Sequence, residues 1–464
     1  MLGRIIGMLS GSHAGPEPTA NEAAIQRQNV LASIQAASDE FEVVESEKEE
    51  AYGCTHSVMR REAVLGRDQR VLGYSIMLRR PMSEDGGALP EVQRLYDQAL
   101  LDNIQRMEIH RLLGLRQAFI PISPTSLHHR LIDTLQPVGT VWLLDAAPQL
   151  LADSEKMLLR MDELAGRGFR FALHGENANL AGMAPFLERA EFVLIDAGGE
   201  DIQHITEQMS AVSKAAAGRR FVATQVQTHE AFQTCHKLQF ALFQGPFITR
   251  REVWNGPVMN ASRAKILDLM NRVRKGAEQA ELSRQIKLDP ALSVRLLRYV
   301  NSPGMGLLNK LGSIDQALMV MGHDKLYRWL TMVLFTGGQA TGLDSALLEN
   351  ALVRGRLAES LASQALSARA RDEVFVVGLF SLLDIVMRTP MEKVLQQINL
   401  PAEVTDALLH QRGPYSPYLE IAVACEQDDL ARIETLAAQL ELDVDEINEA
   451  QVEALVWAQQ ASEA

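Results

Sequence analysis

Short apolar segments alternate with helical segments between residues 55 and 250, and this alternation limits the possible folds more than any other feature. The apolar segments are VLGYSIM, AFIPI, TVWLL, FRFAL, AEFVLID, RRFVAT and FALFQG. Strands that alternate with helices predict parallel βα units. Roughly seven or eight such units predict one closed (β/α) barrel over residues 55–252, with an open doubly wound sheet as the competing topology. No GxGxxG loop follows an early strand, which weakens the case for a dinucleotide-binding sheet.

The pattern changes to continuous helical periodicity from about residue 255 onward, and we predict an all-helical domain over residues 256–462. In LDPALSVRLLRYVNS, Asp289 is a suitable N-cap and Pro290 fits the first helical position. Four apolar residues then recur on one helix face: Leu292, Leu296, Leu297 and Val300. The fold class is therefore α/β followed by all-α.

The charge and the N-terminal composition limit the classes of partner. The chain has 464 residues, with 45 basic and 59 acidic side chains, for a net charge of −14. Such an acidic chain repels a phosphate backbone, so we expect no nucleic-acid partner. Residues 1–54 are rich in Gly, Pro and Ser and then in acidic side chains, which predicts a flexible acidic leader.

Cysteine usage and hydropathy predict a cytoplasmic protein. Cys54, Cys235 and Cys425 lie far apart without a CxxC motif, which is typical of free thiols in a reducing compartment. The sequence contains no run of 18 apolar residues, so we expect no membrane insertion.

Two groups of segments resemble known bacterial signalling domains. IKLDPALSVRLLRYVNS (286–302) and LGSIDQALMVMGHDKLYRWL (311–330) resemble an HDOD domain. VLGYSIMLR (71–79), AEFVLIDAG (190–198) and the segment 221–249, which contains FQGPFIT, resemble three strands of an EAL domain. The order of the segments resembles that of EAL–HDOD two-domain signalling proteins and covers almost the whole chain after the leader.

The EAL resemblance implies a particular site chemistry. Active EAL domains are similar to two-metal phosphodiesterases that hydrolyse cyclic di-GMP, and they need several carboxylates at the carboxyl ends of the strands. Asp196 and Gln244 match the usual site residues. The other site positions fall on residues that differ from the family pattern: Ser75, Pro121, Leu144, His174, Gly175, Leu194, Thr224 and Gln227. One carboxylate cannot hold two divalent cations, so this comparison predicts a degenerate barrel without metal, cofactor or enzymatic activity.

The helical half is predicted to lack metal as well. HD-type phosphohydrolases use an adjacent His-Asp pair, but here Leu383 precedes Asp384. The single HD dipeptide, His323-Asp324, follows Gly322 and is interpreted as the start of a helix with Asp324 as its cap.

The resemblance implies a function in cyclic di-GMP-linked regulation, such as motility or biofilm formation. The first hypothesis is an inactive protein that acts by binding other signalling proteins. The alternative is a metal-independent cyclic di-GMP receptor, with Arg79, Arg80, Asp196 and Gln244 as ligand contacts. The minor alternative is a residual phosphodiesterase that depends on Asp196. The sequence leaves the partners, the stimulus and the oligomeric state open.

Overall fold

The computed structural model describes residues 59–78, 90–106, 116–144, 147–199, 202–251, 261–302, 305, 310–337, 342–427 and 429–463. The predicted leader, residues 1–54, lies outside this part of the chain. Residues Cys54–Ala464 form one compact unit, in which the barrel and the helical region pack together.

Eight strands close into a barrel in sequence order, which confirms the predicted (β/α) barrel and excludes the open doubly wound sheet. The strands are β1 (Met59–Gly66), β2 (Val71–Leu78), β3 (Gln117–Ile122), β4 (Thr140–Leu144), β5 (Arg170–His174), β6 (Phe192–Asp196), β7 (Arg220–Thr224) and β8 (Leu242–Gln244). Strands β2 to β8 pair in parallel with one another, whereas β1 runs antiparallel to both β2 and β8.

The helices and 3-10 turns of the barrel half connect these strands. The helices are α1 (Pro90–Arg106), α2 (Ala147–Ala152), α3 (Ser154–Arg167), α4 (Ala184–Arg189), α5 (Ile202–Ala215) and α6 (His229–Lys237). The 3-10 turns are Pro124–His128, Arg130–Thr134, Gly175–Asn179 and Pro246–Ile248.

The second half is helical, as the sequence predicted. Its helices are α7 (Ala261–Arg274), α8 (Gln279–Lys287), α9 (Pro290–Val300), α10 (Ile314–Thr336), α11 (Gly342–Leu361), α12 (Ala368–Phe380), α13 (Leu383–Met387), α14 (Met391–Leu395), α15 (Ala402–His410), α16 (Ser416–Gln427), α17 (Leu430–Leu440) and α18 (Val444–Glu463). None of the described helices is both long and apolar enough to cross a bilayer.

Two predicted helix starts in this half have clear local causes. The Asp289 carboxylate accepts a hydrogen bond from the Leu292 amide at 3.1 Å, which is the N-cap of α9. Gly322 interrupts α10 with a φ of 67°, so the His323-Asp324 dipeptide begins the second part of that helix. The His323 ring nitrogen Nε2 lies 2.9 Å from the Ala277 carbonyl oxygen, which holds the imidazole against the preceding helix pair.

The hydrophobic residues form two clusters, one inside and one outside the barrel wall. The interior cluster consists of Val64, Phe119, Val141, Leu143, Ala172, Phe192, Leu194, Val222 and Leu242. Phe119 and Phe192 meet edge to face inside it, with ring centroids 5.2 Å apart. The outer cluster continues from the barrel wall into the helical half, so the two halves share one core.

Candidate functional site

The carboxyl end of the barrel is where enzymes of this architecture carry their functional side chains. Successive strand residues point to opposite faces, so membership of the interior cluster shows which residues face the barrel axis. We call the nine residues that continue this interior face toward the carboxyl end the barrel mouth. They are Arg60, Glu62, Ser75, Met77, Pro121, His174, Asp196, Thr224 and Gln244.

The barrel mouth contains a hydrogen-bonded pair that joins its first and last strands. The Gln244 Nε2 donates to Glu62 Oε2 at 2.6 Å. The Arg60 Nη2 lies 3.9 Å from the same carboxylate oxygen. Glu62 therefore balances the Arg60 guanidinium while its position is fixed by the Gln244 amide.

The remaining polar side chains of the mouth differ in their exposure. Ser75 is buried and stands opposite Glu62 in the β1–β2 ladder. Asp196 is exposed, and its Oδ1 accepts a hydrogen bond from the Gly198 amide at 2.7 Å. The Thr224 hydroxyl donates to the Ile195 carbonyl at 3.3 Å, so it is held by backbone.

The structure places the other predicted site residues as follows. Leu144 belongs to the outer cluster, and its neighbour Leu143 is the β4 residue that faces the barrel interior. Leu194 fills the barrel interior two residues before Asp196 on the same strand.

The remaining predicted site residues lie beyond the strands. Gly175 begins a 3-10 turn after β5. Gln227 follows β7, and its carbonyl accepts a hydrogen bond from Arg250 at 3.2 Å. Arg79 and Arg80 lie outside the described residues.

Asp384 lies at the contact between the two halves. Its side chain is only 5% exposed, and its Oδ2 accepts a hydrogen bond from Arg251 Nε at 2.6 Å. Its Oδ1 is buried without a hydrogen-bond partner. Asp384 therefore forms an ion pair with a residue that follows the last barrel strand.

The described donors do not fit a two-metal cluster. Such a site needs several oxygen ligands around each hard cation. Within the described ranges, no three His, Cys, Asp or Glu side chains group closely enough to hold a metal ion. Glu62 and Asp196 stand on strands that are not neighbours in the barrel. Residues 79–80 and 145–146, which directly follow β2 and β4, are outside the described part of the chain.

Sequence reasoning missed Arg60 and Glu62 as mouth residues. The basic pair Arg60-Arg61 is visible in the sequence, but which member faces the mouth depends on recognising β1 as a strand. The strand is MRREAVLG, in which three of the first four residues are charged. The signal that could have revealed it is the short GRDQ turn between this segment and VLGYSIM, which is typical of a hairpin.

A barrel whose first strand is antiparallel precedes the helical region, and a family model matches part of that helical region. Residues 257–412 match the family model of the HDOD domain. The chain therefore combines a closed eight-stranded barrel with a helical region that matches the HDOD family model.

Two curated relatives align with most of the chain. A Vibrio cholerae protein named cyclic di-GMP phosphodiesterase CdgJ is 24% identical over 404 residues, which is 86% of this chain and 91% of the relative. An uncharacterized Bacillus subtilis protein, YuxH, is 25% identical over 406 residues, covering 86% of this chain and 97% of the relative.

Solved structures that align with part of the chain include the FimX EAL domain of Xanthomonas citri in complex with c-diGMP. It is 15% identical, has a TM-score of 0.36, and the alignment covers 47% of this chain and 96% of that one. The PaMucR phosphodiesterase, solved as a c-di-GMP complex, is 16% identical with a TM-score of 0.36, and covers 44% of this chain and 95% of its own.

These comparisons overturn the prediction that the chain is not an enzyme. The relative from Vibrio cholerae, which aligns with 86% of the chain, is named a phosphodiesterase. The structural basis of that prediction was also incomplete. The prediction rests on one mouth carboxylate, but Glu62 faces the mouth as well. It also rests on Leu144 as the β4 site position, but Leu144 faces outward.

Proposed function

We propose that this chain acts in cyclic di-GMP signalling and that the barrel mouth binds cyclic di-GMP. The observation that carries the proposal is the position of Arg60, a guanidinium on the interior face of β1 at the carboxyl end of the barrel. The names of the Vibrio relative and of the solved EAL complexes support cyclic di-GMP as the ligand.

The chemistry of Arg60 suits a phosphodiester. A guanidinium is always charged and presents a planar set of donors that matches two phosphate oxygens. The Arg60 Nη2 lies 3.9 Å from Glu62 Oε2, within ion-pair distance but beyond hydrogen-bond distance. Gln244 donates to Glu62 and thereby reduces the repulsion between this carboxylate and an incoming phosphate.

The test is a calorimetric titration of the full chain with cyclic di-GMP, with and without Mg²⁺. Replacing Arg60 by Gln removes a charged hydrogen bond of about 1.5–3 kcal/mol, so the affinity should fall by about 10- to 150-fold. Arg70→Gln is the matched control, because Arg70 lies in the β1–β2 turn at the other end of the barrel and its side chain is 71% exposed. Equal affinities for the two variants would reject Arg60 as a ligand contact.

Hydrolysis of the bound nucleotide is the second candidate function, and the name of the Vibrio relative favours it. The titrated samples, with Mg²⁺ or Mn²⁺, are analysed chromatographically for the linear dinucleotide. Asp196→Asn should then abolish turnover, because Asp196 is the exposed carboxylate of the mouth. Binding without product in either metal would reject this second function and leave the binding proposal in place.

Two further predictions concern the cell rather than the site. Binding of other signalling proteins by the helical half and a cytoplasmic location both stay predictions from the sequence. A pull-down from a cell lysate with the full chain as bait, compared with residues 1–252 alone as bait, would test the first.

A further inference from the structure

Strands β1 and β2 contact the barrel mouth with one face and the helical half with the other, so they connect the two regions. Arg60, Glu62 and Ser75 point to the barrel interior. The residues next to them, Arg61 and Tyr74, point the other way, and both are buried against the helical half. Any movement of these strands at the mouth therefore also moves buried polar contacts with the second domain.

The first of these contacts is centred on Glu349 of α11, a carboxylate that is 4% exposed. It accepts a hydrogen bond from the Tyr74 hydroxyl and a bidentate pair from Arg116, whose Nη2 lies 2.8 Å from Oε2. Burial, and next the Glu349 charge, hold the pKa of Tyr74 well above its usual value, so the phenol stays a donor. The two barrel residues on β2 and before β3 are thus fixed to one helix.

The second contact is a chain of polar groups that starts at Arg61 on β1 and ends at Arg251, beyond β8. The Arg61 Nη2 lies 4.0 Å from Glu426 Oε1, and the other oxygen of Glu426 accepts from Arg354 Nη2 at 2.6 Å. Arg354 Nη1 also donates to the Ser381 hydroxyl at 3.0 Å. The Ser381 carbonyl in turn accepts from Arg251 at 3.1 Å, a residue just past the last barrel strand.

The weakest member of this chain is the contact that touches the mouth strand. Arg61 and Glu426 are at the outer limit of ion-pair distance, whereas Arg354 and Glu426 are at full hydrogen-bond distance. In a buried, low-dielectric site, a change of one ångström in such a pair changes the interaction strongly. A small shift of β1 therefore strengthens or breaks the Arg61–Glu426 contact.

We propose that occupancy of the barrel mouth is energetically coupled to helix α11 of the HDOD half through Tyr74, Arg61 and their partners Glu349 and Glu426. The proposal rests on the cyclic di-GMP site proposed above and adds the regulation of that site. A ligand phosphate that binds Arg60 displaces β1, and β1 carries Arg61 with it. The conformation of the helical half then depends on whether nucleotide is bound in the barrel. By thermodynamic linkage, a partner that binds the helical half changes the nucleotide affinity.

The experiment is hydrogen–deuterium exchange on the full chain with and without cyclic di-GMP, with binding measured separately by calorimetry. In the wild type, saturating ligand should change exchange in α11 and α16. Glu349→Gln should remove that change in α11 and shift the nucleotide affinity by about 5- to 150-fold, the range typical of coupling between sites. Tyr74→Phe, which deletes one hydroxyl, is a second variant for the case that Glu349→Gln does not fold.

The matched control is Glu359→Gln on the same helix. Glu359 binds Arg328 and Arg356 within the helical half, at 2.7 and 2.9 Å, and contacts neither barrel strand. This variant should keep both the affinity and the exchange response. Wild-type binding without an exchange change in α11, or identical behaviour of the Glu349 and Glu359 variants, would overturn the coupling. An absence of heat on titration would instead reject the nucleotide site itself, and the coupling with it.

Discussion

Replacing Glu426 by Gln removes a carboxylate that is shared by two buried arginines at the contact between the barrel and the helical half. The side chains of Arg61 and Arg354 are 5% and 7% exposed, and that of Glu426 is 15% exposed. Arg354 makes three contacts with Glu426 at 2.6 to 3.1 Å. The variant therefore removes the charge of Glu426 from two buried guanidinium groups.

The expected loss of stability is large, because an uncompensated buried charge costs about 3–5 kcal/mol. Gln keeps the shape and can still accept one hydrogen bond, which favours the lower end of that range. For a cooperative unit of about 400 residues, the unfolding entropy near the midpoint is about 0.9 kcal/mol/K, so Tm should fall by about 3–6 °C.

The assay is scanning calorimetry of the full chain at fixed pH and salt. Glu420→Gln is the control, since Glu420 lies on the same helix and pairs with Arg432, whose side chain is 48% exposed. A surface pair of this kind contributes about 0–1 kcal/mol, which corresponds to a Tm change of about 1 °C or less. If Glu426→Gln and Glu420→Gln lower Tm equally, the argument for a buried network at this contact fails.

Two further changes test the local structure. Gly245 has a φ of 151°, and a Cβ at this position would overlap the Val226 backbone. Gly245→Ala should therefore lower the free energy of unfolding by more than about 1 kcal/mol, measured by denaturant titration. An unchanged denaturation midpoint would contradict this geometry. Burial raises the pKa of the Cys425 thiol to about 12 and that of the Cys235 thiol to about 11. In a Cys54→Ser chain, both thiols should therefore resist alkylation until the protein unfolds. Rapid alkylation of the native chain would refute their burial. Because the unfolded thiols ionise near pH 9.0, these groups should also make stability decrease from pH 9.0 upward.

The sequence predicts strands β2 to β8 but not β1. The physical cause is that β1 carries charged side chains on both of its faces. A strand is recognised by apolar residues on the face that packs into a core. In β1, Arg60 and Glu62 face the barrel mouth, while Arg61 faces a buried carboxylate in the helical half. Charged side chains therefore occupy positions where the pattern expects apolar ones.

The site is predicted from the sequence only where a residue acts within a recognisable motif. Gln244 and Gly245 lie in FQGPFIT, and Asp196 ends an apolar strand, so both strands are visible in the sequence. The partner of Gln244 is Glu62, 182 positions away, and no local pattern connects the two. Pairing at such a distance depends on barrel closure, which strand propensity does not encode.

The most direct test of the central claim is a crystal structure of the full chain with cyclic di-GMP bound. The account predicts the nucleotide at the carboxyl end of the barrel, with a phosphate oxygen within hydrogen-bond distance of the Arg60 guanidinium. A nucleotide bound elsewhere on the chain, or an empty barrel mouth at saturating ligand, would contradict it.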